Sequence, residues 1–209
     1  MRTLILAGGK GTRLLPLTEY HHKVMTSIHG QPFLYYLLKL YNKHDVVLSV
    51  NHLKDGIKSW CKENHIWHEF VEEPEFMGHS GAILYAQPFL EKYKIFAVVN
   101  GDTYHNINLN TMRREFVADK DKLALKVFAV NKLTDKQDCC GIYMFKPDCF
   151  KYFRKGIHTD YILRCIPTKT IHLENKWYLD IGSHEGLRFA KQSQLLQEKN
   201  HDVSSESAS

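Results

Sequence analysis

Short apolar runs rich in β-branched residues alternate along the chain with segments whose apolar residues recur every three or four positions. The first pattern is that of buried strands and the second that of amphipathic helices. Their alternation predicts βαβ units built around a mostly parallel sheet. Thr3 to Ala7 reads as the first strand. Pro32 opens a helix at the first-turn position that its missing N–H suits, and Phe33, Leu34, Leu37, Leu38 and Tyr41 then fall on one face. Val46 to Val50, Ile66 to Val71, Ile95 to Val99, Leu123 to Val130 and Gly141 to Phe145 read as further strands. Leu53 to Asn64, Ser80 to Leu90, Leu109 to Ala118 and His184 to about Glu198 read as helices. The expected fold class is α/β, a Rossmann-like mixed, mostly parallel sheet with helices on both faces. Residues 1–199 are expected to form one domain, without repeat or linker. The Ser-rich stretch from Asn200 to Ser209 has no apolar face to bury and is expected to be a disordered tail.

Composition narrows the function more than the fold. At 209 residues, 44% hydrophobic and 24% charged, the chain can bury a core of ordinary size. No apolar run approaches the ~20 residues that cross a bilayer, so no membrane span is expected. Met1-Arg2-Thr3 runs straight into the first strand without a secretory leader pattern, which makes a cytoplasmic location the expectation. Five cysteines, with no C-x-x-C pair, suit reduced thiols, and packing rather than redox chemistry accounts for Cys139-Cys140. The net charge of +5 comes from 28 basic and 23 acidic residues scattered without a basic run, which argues for a small anionic substrate and against nucleic acid. The thirteen histidines show no metal-ligand spacing and read mostly as surface or satisfied polar residues.

The chemistry gathers in four places. In LILAGGKGTRLLPLT, from Leu4 to Thr18, an apolar run breaks into Gly8, Gly9 and Gly11, which let the backbone approach polyphosphate oxygens closely. Arg13 can grip an oxygen pair bidentately, and Lys23 follows ten residues later. The segment is not a P-loop, because G-x-x-x-x-G-K-[ST] is absent, and not a dinucleotide fingerprint, because Leu14 stands where the third glycine belongs. Asp102, in Val98-Val99-Asn100-Gly101-Asp102-Thr103, lies just past the most apolar strand, where a carboxylate suits Mg²⁺. Asp180, in Tyr178-Leu179-Asp180-Ile181-Gly182, is a second such carboxylate or, on the plainer reading, a helix-start residue. Glu72 to Ile83 forms a loop feeding a helix, in which Gly78 and Gly81 leave room for a flat base, or Ser80 simply caps the helix with His79 incidental.

The ordered set L-A-G-G-x-G-T-R-L, Lys23, E-x-x-x-x-G-x-x-G-A, N-G-D and D-I-G resembles the sugar-phosphate nucleotidyltransferases, the nucleotide-diphosphate-sugar pyrophosphorylases. The resemblance runs from residue 1 to about 192 and thins between 110 and 175. Within the family, Gly30-Gln31-Pro32-Phe33-Leu34, Asn100-Gly101-Asp102-Thr103-Tyr104 and the short length look most like the heptose 1-phosphate guanylyltransferase branch. The resemblance implies a GT-A-like fold, a nucleoside triphosphate and a sugar 1-phosphate as substrates, Mg²⁺ as cofactor, and allows a homodimer. It implies that Leu6, Ala7, Gly8, Gly9, Gly11 and Thr12 face the base and phosphates, that Arg13 holds departing pyrophosphate and that Lys23 contacts the reacting phosphates. Glu73, Gly78, Ser80 and Gly81 fall in the base and acceptor region, and Asp102 and Asp180 match the metal carboxylates. Mannose 1-phosphate, glucose 1-phosphate and phosphocholine stay open as acceptors, and a catalytically inactive nucleotide-sugar-binding subunit stays open as a rival reading. Two departures stand out. His22-Lys23-Val24 replaces the usual P-K-P, which is expected to loosen the turn that aims the lysine. The family's Y-G-x-V hairpin, whose E-K pair helps hold the acceptor, has no counterpart, while Cys140-Gly141-Ile142-Tyr143 resembles the strand that follows it.

Overall fold

A computed structural model describes residues 1–196 apart from Lys43 and Trp67. The tail expected over 200–209 lies outside the described residues. In chain order the elements are β1 (Arg2–Ala7), β2 (Ser27–Ile28), β3 (Gln31–Pro32), α1 (Phe33–Leu40), β4 (Asp45–Val50), α2 (Lys54–Glu63), β5 (Glu69–Glu72), α3 (Gly78–Tyr85), α4 (Gln87–Leu90), β6 (Phe96–Asn100), β7 (Thr103–His105), α5 (Leu109–Ala118), β8 (Ala124–Asn131), β9 (Gln137–Phe145), α6 (Thr159–Cys165), β10 (Thr168–Asp180) and α7 (His184–Gln192). Single 3-10 turns cover Thr12–Leu14 and Lys23–Met25, and a longer one covers Pro147–Tyr152.

Eight strands form one mixed sheet in the order β5-β4-β1-β6-β9-β8-β10-β7, and β2 and β3 pair as a separate ribbon. The pairs β5/β4, β4/β1, β1/β6 and β8/β10 are parallel, and β6/β9, β9/β8 and β10/β7 are antiparallel. Alternation along the central strands sends side chains to two cores. Ile5, Ala7, Ala97 and Val99 pack with α1, α2, α5 and α7, while Leu4, Leu6, Phe96 and Val98 pack with α3, α4 and α6. Helices therefore cover both faces, as the buried apolar runs require. Each fully buried Leu, Val or Phe contributes about 1.5–3 kcal/mol by leaving water, so strand and helix placement is decided here rather than by propensity.

Several boundaries differ from the sequence expectation. The helix expected over Ser80–Leu90 starts at Gly78 and breaks at Ala86 into α3 and α4, because Pro88 has no N–H for Leu84 and its ring crowds that carbonyl. Pro32 stands one residue ahead of α1, as its cap residue. The strand expected from Ile66 begins at Glu69, and β9 begins at Gln137, four residues before Gly141. The last helix ends at Gln192, where Ser193 turns to extended backbone, rather than near Glu198. The sequence reading assigned nothing to β7, α6 or β10.

Candidate active site

The strands β1, β4, β5, β6, β8 and β10 all point one way, so their carboxyl ends share one edge of the sheet. Ligands of open α/β sheets gather at such an edge. Gly8 and Gly9 follow β1, Glu73 follows β5, Asp102 follows β6 and Asp180 ends β10. They surround a cavity of about 300 Å³ together with Leu6, Arg13, Lys23, Phe76, Gly78, His79, Ala82, Asn100 and His158.

The two carboxylates are strapped together by backbone. Thr103 pairs with Asp180 across β7 and β10, and the Ile181 N–H donates to the Asp102 carbonyl at 2.9 Å. Asp102 is buried, and its Oδ2 accepts from Lys23 Nζ at 2.5 Å. Burial pushes the Asp102 carboxyl up, but the adjacent ammonium outweighs it and holds the group below the usual range. Half-buried Asp180 moves the other way, raised by burial and then by the Asp102 charge, against a weaker pull from the Gly182 N–H, Arg13 and Lys23. The Gly182 N–H donates to Asp180 Oδ1 at 2.5 Å, and Ser183, not Asp180, caps α7. Gly182 is the floor of this corner: an ideal Cβ there would stand 2.7 Å from Arg13 Nη2, 2.8 Å from Asp180 Oδ1 and 2.9 Å from Asp102 Oδ2.

Lys23 opens the 3-10 turn Lys23–Met25. In place of the flanking prolines, His22, buried and extended, caps the turn by accepting the Val24 N–H on Nδ1 at 3.2 Å. Burial, reinforced by the Lys23 charge, drops the His22 imidazole to about 4, so it remains a neutral acceptor. Arg13 is largely exposed, with Nη2 3.9 Å from Asp180 Oδ2, and its fork faces the cavity.

Glu73 closes the β5 end. Its carboxylate is buried, accepts from Ser49 Oγ at 2.7 Å and, weakly, from the Met77 N–H at 3.4 Å, and is pushed up by burial against those bonds. A Cβ on Gly8 would meet Glu73 Oε1 at 2.6 Å, so glycine is needed for the cradle to cross the carboxylate. Gly11 adopts φ +64° and its missing Cβ makes room for Thr18, whose hydroxyl donates to the Gly11 carbonyl at 2.8 Å. Ala7, Gly11, Thr12 and Gly81 do not line the cavity; Gly11 and Thr12 shape the turn that presents Arg13. Ser80 neither lines it nor caps α3. Its buried hydroxyl accepts the Arg154 N–H at 2.9 Å and its own N–H donates to the Ile157 carbonyl at 3.2 Å, binding residues 154–157 to α3.

Sequence reasoning passed over Phe76, His79, Asn100 and His158 as site residues. Asn100 and His79 stood inside motifs already noticed, and their polar side chains beside glycines were the available signal. His158 offered none, because its segment reaches the cavity only through tertiary packing. Among the described residues no group of three or more His, Cys, Asp or Glu side chains could hold a metal. Two carboxylates converging over Gly182 fit Mg²⁺ nonetheless, since that ion takes one or two protein carboxylates and completes its shell with water and phosphate.

A family model described as Nucleotidyl transferase matches residues 2–138. The chain belongs to the nucleotidyl transferase family. Among curated relatives, the bifunctional protein GlmU of Methanocaldococcus jannaschii is 34% identical over 128 residues, 60% of this chain; the match spans 30% of that protein's length. The D-glycero-alpha-D-manno-heptose 1-phosphate guanylyltransferase of Campylobacter jejuni is 28% identical over 177 residues, covering 73% of this chain and 79% of the relative. The crystal structure of HddC from Yersinia pseudotuberculosis shares the fold with a TM-score of 0.72 at 22% identity, over 91% of this chain and 97% of that one. The observed strand order and this fold match bear out the mixed, mostly parallel sheet expected from the sequence. The family model stops at Asp138, so Asp180 and His158 rest on the geometry alone.

Proposed function

We propose that this chain transfers a nucleoside monophosphate from GTP to a heptose 1-phosphate, giving a nucleotide sugar and pyrophosphate. The observation that carries the reading is the convergence of Arg13, Lys23, Asp102 and Asp180 on one cavity floored by Gly8 and Gly9. An acceptor phosphate oxygen attacks the α-phosphorus, a new P–O bond forms, the bond to the α,β-bridging oxygen breaks, and pyrophosphate leaves with that electron pair. The acceptor phosphate is nucleophilic as its anion, so no general base is required. Acceleration then comes from alignment and from charge placed where the phosphates crowd.

Lys23 and Arg13 supply that charge. Lys23 is already tethered at the carboxylate pair, and Arg13 is free to take two oxygens of the leaving group. Asp102 and Asp180 would hold Mg²⁺, which screens the negative charge of donor and acceptor phosphates when bound.

Guanine is favoured by Glu73. An ionised carboxylate only accepts, which complements the N–H donors on the guanine edge and opposes the carbonyl oxygens that flank the single N–H of uracil. The Campylobacter relative is named a guanylyltransferase and HddC is also known in complex with GMP-PN, in keeping with this choice. The test is pyrophosphate release with Mg²⁺, each of the four common triphosphates and a panel of heptose, mannose and glucose 1-phosphates and phosphocholine. GTP with heptose 1-phosphate is expected to give the highest kcat/KM. Nucleotide binding without turnover on any acceptor would overturn the reading in favour of an inactive binding subunit.

A further inference from the structure

The 3-10 turn after β9 is followed by residues 153–158, which run back to the start of α3 and dock there. The Gly156 N–H donates to the Met77 carbonyl at 3.0 Å, the Arg154 N–H to Ser80 Oγ, and Lys155 pairs with Glu75. This brings His158, the cap residue of α6, onto His79 in the first turn of α3. Their rings stack with centroids 4.8 Å apart and planes 27° from parallel, and both line the cavity beside Phe76.

The hydrogen bonds assign the tautomers. His158 Nδ1 accepts the Asp160 N–H at 3.2 Å, so the neutral ring carries its proton on Nε2. His79 Nδ1 is buried without a partner. A buried N–H with no acceptor is rarer and costlier than a buried lone pair, so here too the proton belongs on Nε2. Two imidazole N–H donors thus sit side by side at one wall. Burial, with the neighbouring His158, holds His79 at about 4, so that ring adds no charge to the wall. Phosphates are already served by Arg13 and Lys23, and the base end by Glu73. What remains unserved in the cavity is an uncharged, hydroxyl-bearing group. Phe76, half exposed beside the pair, offers a flat apolar face of the kind that covers the C–H side of a sugar ring.

We propose that His79 and His158 form a clamp for the acceptor sugar, their Nε2–H groups donating to ring hydroxyls while Phe76 lies against the apolar face. This rests on the proposed transfer to a sugar 1-phosphate. With β8 joined to β9 by only residues 132–136, the clamp is built from the returning segment 153–158 instead of from that connection.

The experiment compares wild type with His158→Asn, His79→Phe and His79→Gln. Asn keeps an acceptor for the Asp160 N–H but its shorter amide stops short of the Nε2 position, Phe keeps the stack and removes the donor, and Gln restores a donor near Nε2. With GTP and heptose 1-phosphate, H158N and H79F are each expected to raise the acceptor KM about 5- to 20-fold with kcat and the GTP KM within twofold, and H79Q to recover most of the loss. In parallel, ¹⁵N-histidine protein is titrated with heptose 1-phosphate and with GTP separately. Shifts of the two Nε2 signals with the sugar phosphate alone support the clamp. A rise in the GTP KM, shifts with GTP only, or no shift with either overturns it. If wild type releases no pyrophosphate with any pair, the proposed function fails, and the imidazole titration still decides the clamp.

Discussion

Gly182→Ala probes the carboxylate corner directly. The residue does not have positive φ, so alanine fits the backbone, and the three atoms nearest the new methyl are ends of side chains. At 2.7, 2.8 and 2.9 Å they stand about 0.5–0.7 Å inside the 3.4 Å of ordinary contact, so Arg13, Asp180 and Asp102 must each retreat by roughly that much or turn away. Catalytic constellations tolerate about 0.5 Å, and a misplacement near 1 Å costs up to about 100-fold. The expected loss in kcat is therefore about 10- to 100-fold, or about 1.4–2.7 kcal/mol of barrier. Because the methyl occupies the point on which both carboxylates converge, half-saturating Mg²⁺ should rise as well. Stability should hold, since the outward-turning groups are half-buried or exposed except for Asp102. The assay is pyrophosphate release across a Mg²⁺ series beside a urea melt. A variant with wild-type rate and wild-type Mg²⁺ dependence would refute the placement of the metal and of the reacting phosphates at this corner.

Gly56→Ala is the matching control: it lies inside α2 with nothing within 4 Å of its ideal Cβ, so it should stabilise by about 0.5–1 kcal/mol and leave turnover unchanged. Lys23→Met strands the buried Asp102 carboxylate and should cost about 3 kcal/mol in a urea melt at neutral pH, most of it recovered in Lys23→Met/Asp102→Asn. In wild type Asp102 ionises below its unfolded value, so the stability it draws from Lys23 is present above that value and is lost as pH falls through the folded pKa, and without Lys23 burial raises the carboxyl, so the deficit shrinks as pH falls; a deficit that grows in acid would contradict the pairing. Asp180 is displaced upward, so its ionisation disfavours the native state: Asp180→Asn should be more stable than wild type above the folded pKa, lose that advantage below the unfolded one, and lose turnover, as melts at pH 7 and pH 3 would show.

The division between what the sequence disclosed and what it hid follows from strand direction. β1 and β6 run parallel, so a glycine or aspartate placed just after an apolar run arrives at one common edge, and Gly8 and Asp102 are legible as neighbours from the sequence, whereas Asp180 joins them through its motif. β10 itself was missed because Lys169, Glu174, Asn175 and Lys176 sit on a strand that is largely exposed until Trp177, with an irregular register between Leu173 and Trp177; the D-I-G motif, not periodicity, found its end. β9 runs against β6 and delivers the chain to the far edge of the sheet. To reach the cavity again the backbone must climb through Pro147–Tyr152 and residues 153–158 before α6 and β10, and that climb is held by single hydrogen bonds to Ser80 and Met77. Such contacts leave no period in the sequence. Ser80, expected in the base and acceptor region or as a cap, instead ties down this climb, and His158 carries no signal of its own, although His79, its stacking partner, stands in a recognised motif. The phosphate-handling groups are carried by the parallel strands and the proposed sugar-handling groups by the returning segment, so length changes in 146–158 should alter acceptor choice while leaving Arg13, Lys23, Asp102 and Asp180 in place.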